Sequence, residues 1–352
     1  MFDIDFYMKS FDYMKDVRNG DIKDKEHAFD FLESIRNRAP IVYNIETTNA
    51  CNMRCEMCPR TTMMTRSIKT MRRDLFTQIV DQLEPHGKEK WEEWERFVQK
   101  KYGIKADDMS ENHFFLYIIP KVIQLHGYGD PLLDKNMGFY VKMLAEKGFH
   151  SYFSCNPANI DIERTIEMFE NGLNYIKYSI ESVDDERHKK IRGSASNFTE
   201  SFHKILKILD IKKNKGLETV IVITMLDLNK EWQKEDFLKL KKLFEGQDVY
   251  IYMKSEDQQW YREDYHGTNS VHWSEFCKHP WMSMTIKSNG EVAMCMEDFN
   301  NEIVLGDATR ESLFDIWNGE PYDEFRKDQI NLGRDIKCIK HCDMKLIGEY
   351  LV

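Results

Sequence analysis

Apolar and polar positions change their period repeatedly along the chain, and the changes predict alternating strands and helices. Six short runs rich in β-branched and aromatic residues predict strands at 41–47, 121–126, 151–154, 175–180, 220–225 and 248–253. Helical periods fall roughly at 73–83, 136–147, 160–171, 197–214 and 233–244. Asn197 and Glu200 resemble a capping box at the start of the fourth helix. This alternation predicts parallel βα units and an α/β fold.

Three regions depart from the alternation. Residues 1–40 are rich in charged residues, and their helix-like pieces are interrupted. This pattern predicts an N-terminal helical extension. Residues 85–117 form a long insertion, for which a packed accessory helix is the interpretation and a substrate lid the alternative. The insertion carries aromatic residues at helical spacing: Trp91, Trp94, Phe97 and Tyr102. Beyond residue 254, two β-type runs at 282–286 and 291–295 flank Asn289-Gly290, a strong hairpin signal, and a helix follows from about 311 to 317.

This pattern divides the chain into an extension at 1–40, a core at 41–254 and a smaller domain at 255–352. The chain has 352 residues, of which 41% are hydrophobic, and 50 basic against 60 acidic residues give a formal charge of −10. Without a long basic run we expect no nucleic-acid partner. Without a long apolar run or a signal-like start, we expect no membrane partner and a cytoplasmic location.

Eight cysteines in a large chain that we expect to have no leader point to metal binding or catalysis rather than to disulfides. Cys51, Cys55 and Cys58 have the spacing C-x3-C-x2-C directly after the first predicted strand. Three thiolates on one loop can bind one face of a cubane iron–sulfur cluster and leave the fourth iron open for a small molecule. Zinc is the alternative, but it would require a fourth Cys or His nearby, and the sequence has none there.

The cysteine spacing after the first strand resembles that of the radical SAM (S-adenosylmethionine) superfamily. The resemblance implies a partial (β/α)6 TIM-like barrel whose [4Fe-4S] cluster binds SAM. It also implies reductive cleavage of SAM to a 5′-deoxyadenosyl radical, which removes a hydrogen atom from the substrate. A low-potential electron donor such as flavodoxin or ferredoxin is the implied partner.

The resemblance extends to the ends of the later strands, where relatives bind SAM. The segment 127–130 is similar to a Gly-Gly-Glu-Pro segment that receives the SAM amino group. The segment 179–193 is similar to a Ser-Ile-Asp…Arg-Gly arrangement, whose Ser and Arg meet the methionine carboxylate or ribose. Met57 stands where relatives place an aromatic residue against adenine, and Arg192 has a surface helix position as its alternative. The implied SAM-binding residues are Met57, Gly127, Tyr128, Gly129, Asp130, Asn156, Ser179, Glu181 and Arg192.

Four further cysteines, enough to saturate a second cluster, lie in the C-terminal part. They are Cys277, Cys295, Cys338 and Cys342. Their arrangement resembles the α+β Twitch domain, the shortened form of the SPASM domain. Full SPASM domains hold two auxiliary clusters and need about seven cysteines, so the resemblance implies one auxiliary [4Fe-4S] cluster. Structural zinc on the same four thiols is the alternative.

Cys155 remains outside both sets. At the mouth of the implied barrel it is a candidate catalytic hydrogen donor, and inert packing as a small apolar residue is the alternative.

We expect oxidation of a small polar substrate, sugar-like or aminocyclitol-like, with electron transfer to the auxiliary cluster. The alternatives are epimerisation, modification of a peptide substrate, and, in another class, a zinc-binding interaction protein. A polar segment contains candidate substrate contacts that could equally be a solvated linker: Asp257, Gln258, Trp260, Tyr261 and His266.

Overall fold

A nine-stranded sheet organises the computed structural model, which describes residues 1–18, 24–105, 110–254, 277–331 and 338. The strand order is β6-β5-β4-β3-β2-β1-β7-β8-β9. The strands are β1 Val42–Ile45, β2 Val122–Gln124, β3 His150–Cys155, β4 Tyr175–Ser179, β5 Val220–Leu226, β6 Tyr250–Lys254, β7 Met284–Ile286, β8 Glu291–Ala293 and β9 Val304–Asp307.

Helices connect the strands, and most of those in the connections between parallel strands cover one face of the sheet. The helices are α1 Ile4–Arg18, α2 Lys25–Ile35, α3 Arg73–Val80, α4 Lys88–Tyr102, α5 Glu111–His113, α6 Met137–Glu146, α7 Ile162–Glu170, α8 Asp185–Arg192, α9 Phe198–Lys215, α10 Gln233–Leu243, α11 His279–Met282, α12 Leu313–Asn318 and α13 Glu320–Asn331. None of these helices is long and apolar enough to cross a membrane.

The first six strands lie parallel in sequence order, which confirms the six strands and the βα units expected from the sequence. Alternate side chains of each strand enter different apolar clusters, as strand geometry requires. Phe153 and Ile176 pack on the helix-covered face. Tyr152 and Val222 pack on the inner face, which the curved sheet encloses. Both faces of these strands are therefore buried.

The N-terminal helices and the insertion close the inner apolar cluster. Trp94 of α4 is fully buried, and its indole nitrogen donates to the Leu116 carbonyl at 2.7 Å. The Trp94 ring lies edge-on to Tyr7 of α1, with 5.3 Å between ring centroids. The helix in the insertion is thus packed against the extension, as the accessory-helix interpretation expects.

The predicted hairpin is present, and it joins the same sheet. β7 and β8 are antiparallel, and Gly290 in their turn has a φ of +93°, which favours glycine. β7 also pairs in parallel with β1. The C-terminal hairpin therefore extends the sheet of the core across β1. Two helices that the sequence patterns did not predict, α8 and α13, are rich in charged residues with little apolar periodicity.

Candidate active site

The first cysteine loop, residues 51–58, leaves the carboxyl end of β1 and lies against the end of α8. The amide of Arg54 donates to the Arg192 carbonyl at 3.0 Å. Gly193 permits this approach, because its φ is +97° and a Cβ atom there would lie 3.0 Å from the Arg54 amide nitrogen. Backbone contacts therefore fix the loop that carries the three thiols.

The thiols of this loop are poorly solvated. Cys55 is buried, and Cys51 and Cys58 are half-buried. Burial raises the pKa of the Cys51 thiol and raises that of Cys58 to about 12, and the neighbouring Cys55 adds to both shifts. Thiolates here need a bound cation to compensate them, and soft sulfur donors fit iron. No three ligating side chains in the described ranges lie at the mutual spacing of a formed metal site, so the ligand assignment rests on the cysteine spacing and on sulfur chemistry.

Arg192 connects this loop to the ends of two strands. Its guanidinium donates to Cys55 Sγ at 3.6 Å and forms an ion pair with the buried Glu181. The other Glu181 oxygen accepts from the Leu226 amide at 2.8 Å, at the end of β5. Burial opposes the charge on Arg192, but Glu181 and Cys55 raise its pKa above the ordinary value. Arg192 is therefore a largely buried cation that contacts the Cys55 thiol, and not the surface helix residue of the alternative interpretation.

The glycines after β2 are packed against the end of β1. A Cβ atom on Gly129 would lie 2.2 Å from the Thr48 carbonyl oxygen, and one on Gly127 would lie 2.5 Å from a Glu46 carboxylate oxygen. Neither position accepts a larger residue without movement of the backbone or of a buried carboxylate.

Asp130 is anchored by hydrogen bonds from the protein. It is 3% exposed, and its carboxylate accepts from the Leu132 amide at 3.0 Å, the Asn156 amide at 3.1 Å and the Asn159 side chain at 2.8 Å. Burial raises its pKa in spite of these bonds. Asp130 therefore ties the loop after β2 to the loop after β3, whatever contact it makes with a ligand.

Asn156 belongs to a buried polar chain that ends near Glu181. Its side-chain nitrogen lies 3.1 Å from Ser196 Oγ, which lies 2.8 Å from Nε2 of His188. The Glu181 amide donates to Nδ1 of His188 at 3.3 Å, so the neutral ring carries its proton on Nε2. Burial lowers the pKa of His188 to about 3, which keeps the ring neutral.

The inner face of the sheet is polar at its carboxyl end. Ser179 Oγ lies 3.4 Å from Ser154 Oγ of the neighbouring strand. The Lys177 ammonium lies 5.7 Å from the centre of the Tyr152 ring and is largely buried. Nδ1 of His126 accepts from the Ser154 amide at 3.1 Å, and burial holds the pKa of His126 well below its usual value. Met57, half-buried beside Cys58, completes the sequence-predicted SAM residues.

Cys155 lies on the opposite, helix-covered face. It alternates with the inward Ser154 and packs in the apolar cluster with Phe153 and Tyr178. Its thiol donates to the Lys177 carbonyl at 3.6 Å, and burial raises its pKa well above the usual value. This position favours the packing interpretation over the hydrogen-donor hypothesis.

Three of the four C-terminal cysteines lie in described residues and approach one another. Burial raises the pKa of Cys338 to about 12, with Cys277 as the next contribution, and raises that of Cys295 well above its usual value. Gln329 of α13 links two of them, since it accepts from the Cys277 amide at 3.2 Å and donates to Cys338 Sγ at 3.9 Å. Two sequence predictions lie outside the described residues: Cys342 and the candidate contacts at 257–266.

A buried carboxylate that the sequence patterns did not single out joins the two cysteine regions. Glu46, at the end of β1, is fully buried and binds Arg66 with two hydrogen bonds of 2.8 Å. It also accepts from Ser288 Oγ at 3.0 Å and from the Tyr128 amide at 3.3 Å. Burial alone would raise the pKa of Glu46, but Arg66 and Lys287 lower it overall. The sequence feature that could have identified Glu46 is a single acidic residue at the end of an apolar strand.

Tyr128 completes this connection. Its hydroxyl donates to a Glu297 carboxylate oxygen at 2.7 Å, two residues after Cys295. Tyr128 therefore contacts both Glu46, at the end of β1, and the segment that follows Cys295.

Comparison with known proteins agrees with both cysteine regions. The family model described as the radical SAM superfamily matches residues 45–240, more than half of the chain. A second family model, SPASM, described as an iron–sulfur cluster-binding domain, matches residues 277–343. No curated protein matches the chain.

Solved structures show the same fold at low sequence identity. BtrN in complex with AdoMet and 2-DOIA is 17% identical, has a TM-score of 0.50, and covers 89% of this chain and 97% of its own. A histidine-tagged anSMEcpe with bound AdoMet is 13% identical with a TM-score of 0.51, and covers 86% of this chain and 84% of its own. Streptococcus suis SuiB bound to precursor peptide SuiA is 12% identical with a TM-score of 0.51, and covers 91% of this chain and 79% of its own.

Proposed function

Because this chain belongs to the radical SAM superfamily, we propose that it oxidises a small polar substrate and transfers one electron to an auxiliary cluster. The family implies SAM and a [4Fe-4S] cluster as cofactors, and the SPASM match implies auxiliary iron–sulfur. The observation that supports the proposal is that Gln329 hydrogen-bonds to both Cys277 and Cys338, and that Cys295 interacts electrostatically with the same two cysteines. This set would provide a place for an electron acceptor.

Cys51, Cys55 and Cys58 would hold the first cluster, and the C-terminal set with Cys342 would hold the second. When bound, these groups supply one-electron reduction of SAM, hydrogen abstraction and acceptance of an electron. The residues of the chain fix the geometry. Arg192 places positive charge against Cys55 Sγ, and Glu181 holds Arg192 between the ends of β4 and β5.

The inner face would receive the substrate. Its polar groups suit a hydroxylated or amine-bearing molecule better than an apolar one, because Ser154, Ser179 and Lys177 lie along it. Oxidation of a secondary alcohol removes a hydrogen atom, a proton and an electron, so a proton acceptor is required. His126 does not fit that role, because its Nδ1 already accepts from the protein and its Nε2 lies 3.1 Å from the Gln124 side chain.

We propose that Asp130, Asn156 and Arg192 shape the SAM site chiefly by tying its loops together. Gly127, Gly129, Tyr128, Ser179, Glu181 and Met57 would line it. The domain limits at 41–254 and 255–352 belong to the same proposal, with the match at 277–343 as support. The alternatives are epimerisation and peptide modification, and the precursor peptide bound to SuiB is the observation behind the second.

Electrons for SAM reduction would enter at the segment 54–72, which starts within the first cysteine loop. This segment carries five basic residues and one acidic residue on a chain whose net charge is −10. Arg54 and Lys69 are exposed, and neither lies within 4 Å of a carboxylate in the described part of the chain. Opposite charge favours an acidic redox protein such as flavodoxin or ferredoxin as the donor.

Charge reversal tests this docking. We expect Arg54→Glu with Lys69→Glu to slow flavodoxin-driven SAM cleavage at least tenfold at low salt and to leave dithionite-driven cleavage unchanged. Equal loss with both reductants would show damage to the site instead of to docking.

The proposed reaction is tested with the anaerobically reconstituted enzyme. Each of a panel of polyols and aminocyclitols is incubated with SAM and dithionite, and 5′-deoxyadenosine and product are quantified together. We expect a ketone product in a one-to-one ratio with 5′-deoxyadenosine. A stereoisomer of the substrate as product would establish epimerisation, and turnover confined to peptides would establish the other alternative.

A further inference from the structure

A basic pocket lies on the helix-covered side of the sheet, and no cysteine lines it. It has a volume of about 270 Å³ and lies between α3, α6 and α7. Four cations and one carboxylate line it: Arg73, Lys135, Lys142, Arg164 and Glu167. A pocket of this size accommodates a small molecule and is too small for a protein segment of any length.

In the described part of the chain, three of the four cations of this pocket have no close acidic partner. Lys147, at the end of α6, pairs with Asp81 at 2.6 Å, and Lys142 lies 3.9 Å from Glu146 on an exposed helix face. Within the described residues, no carboxylate lies within 4 Å of the charged groups of Arg73, Lys135 and Arg164. The buried Asp134 interacts electrostatically with Arg164 and Arg73 from beyond this distance. Neighbouring cations without a close acidic partner in a concavity present a site for an anion.

Contacts with the protein hold the two guanidinium groups in place. Arg73 donates through Nε to the Asn136 side chain at 2.8 Å, and its guanidinium carbon lies 4.9 Å from the centre of the Phe139 ring. Arg164 donates to the carbonyls of Leu132 at 3.3 Å and Asp134 at 2.7 Å. Ordered guanidinium groups lose little conformational entropy when they bind an anion.

The floor of the pocket leaves room beside these groups. Gly138 has no side chain, and a Cβ atom there would lie 3.4 Å from a Glu167 oxygen and 3.5 Å from the Asn171 side-chain nitrogen. Phe139 supplies an apolar wall beside Arg73. A dianion in the pocket therefore has four cations along the lining, and an attached organic group has an aromatic surface to contact.

We propose that this pocket binds the phosphate group of a small molecule, either free phosphate or a phosphomonoester. Arginine and lysine together favour phosphate, because guanidinium groups bind two of its oxygens at once and ammonium groups balance the remaining charge. Arg164 also holds the segment that follows Asp130, so an occupied pocket would contact a residue that supports the loop after β2.

Calorimetric titration of the full reconstituted chain tests the pocket. The probes are inorganic phosphate, ribose 5-phosphate and unphosphorylated ribose. We expect saturable binding of one or both phosphates at one site per chain, weakening with added salt, and no binding of ribose. Tighter binding of ribose 5-phosphate would identify an organic phosphate as the ligand, whereas equal binding would identify free phosphate.

Matched variants assign the binding to the pocket. Arg73→Gln and Lys142→Gln should each weaken phosphate binding about tenfold, as loss of a charge-assisted contact does. Lys147→Gln is the control, because it removes a cation next to α6 that is already paired outside the pocket, and it should leave binding unchanged. Absence of saturable binding, or equal binding by wild type and Arg73→Gln, would overturn the proposal. The titration requires no SAM cleavage, so its failure is separate from failure of the proposed function.

Discussion

The two cysteine regions are built in different ways. The first places Cys51, Cys55 and Cys58 within eight residues, on a loop whose backbone is held by α8. The second brings together Cys277, Cys295 and Cys338, which are separated by tens of residues and rely on a hairpin and α13. The first set of thiols comes from one short segment, whereas the dispersed set requires three distant segments to come together. The difference predicts separate consequences for substitutions in each region.

The largest contrast concerns the thiols themselves. We expect Cys55→Ala to reduce SAM cleavage by at least a thousandfold, because a cubane cluster that loses one of three protein ligands is not retained. Cys295→Ala should leave SAM cleavage within a fewfold of wild type and abolish substrate oxidation. Quantification of 5′-deoxyadenosine and product in the same reaction measures both. Equal loss of SAM cleavage and substrate oxidation in Cys295→Ala would show that the two cysteine regions do not have separate roles.

The support of Cys55 by a buried ion pair is the next contrast. Glu181→Gln weakens the hold on Arg192, so we expect SAM cleavage to fall about 10- to 100-fold, as loss of an outer-shell partner does. The midpoint potential of the first cluster should shift, while that of the second stays fixed. Glu186→Gln is the control, because Glu186 is an exposed residue of α8, the helix that carries Arg192. A parallel shift of both potentials would indicate general unfolding.

The connection between the regions is tested at Glu46. Replacement by Gln leaves the guanidinium of Arg66, 9% exposed, without its charged partner, which costs about 3–5 kcal/mol of unfolding free energy. Glu46 is ionised at neutral pH because its folded pKa lies below the usual value, so the loss should be present at pH 7 and shrink as the pH falls. Denaturant unfolding at both pH values measures it. Glu235→Gln, which removes an exposed pair with Lys239, should cause little change.

The smallest effect is expected at Cys155. Because its thiol lies on the helix-covered face, Cys155→Ala should preserve product formation within about twofold and cost only modest stability. Loss of product without loss of SAM cleavage would restore the hydrogen-donor hypothesis.

Features that depend on short stretches of sequence could be predicted, and features that depend on distant partners could not. The six strands, the main helices and the C-x3-C-x2-C loop follow from periodicity and spacing within short windows. Glu46, Arg66 and Gln329 were not predicted, because their partners lie in distant segments. Cys155 shows a second limit of prediction from sequence. Strand periodicity places Cys155 and Ser154 on opposite faces of the sheet, but it does not identify the inner face.

Iron and sulfide analysis of the Cys51→Ala/Cys55→Ala/Cys58→Ala triple variant, with Mössbauer spectroscopy, tests the central claim most directly. Two independent clusters predict about eight irons per wild-type chain and about four in the variant, all in one [4Fe-4S] species that SAM does not perturb. A variant without iron would contradict the claim of a second, independent cluster, and so would zinc in place of iron.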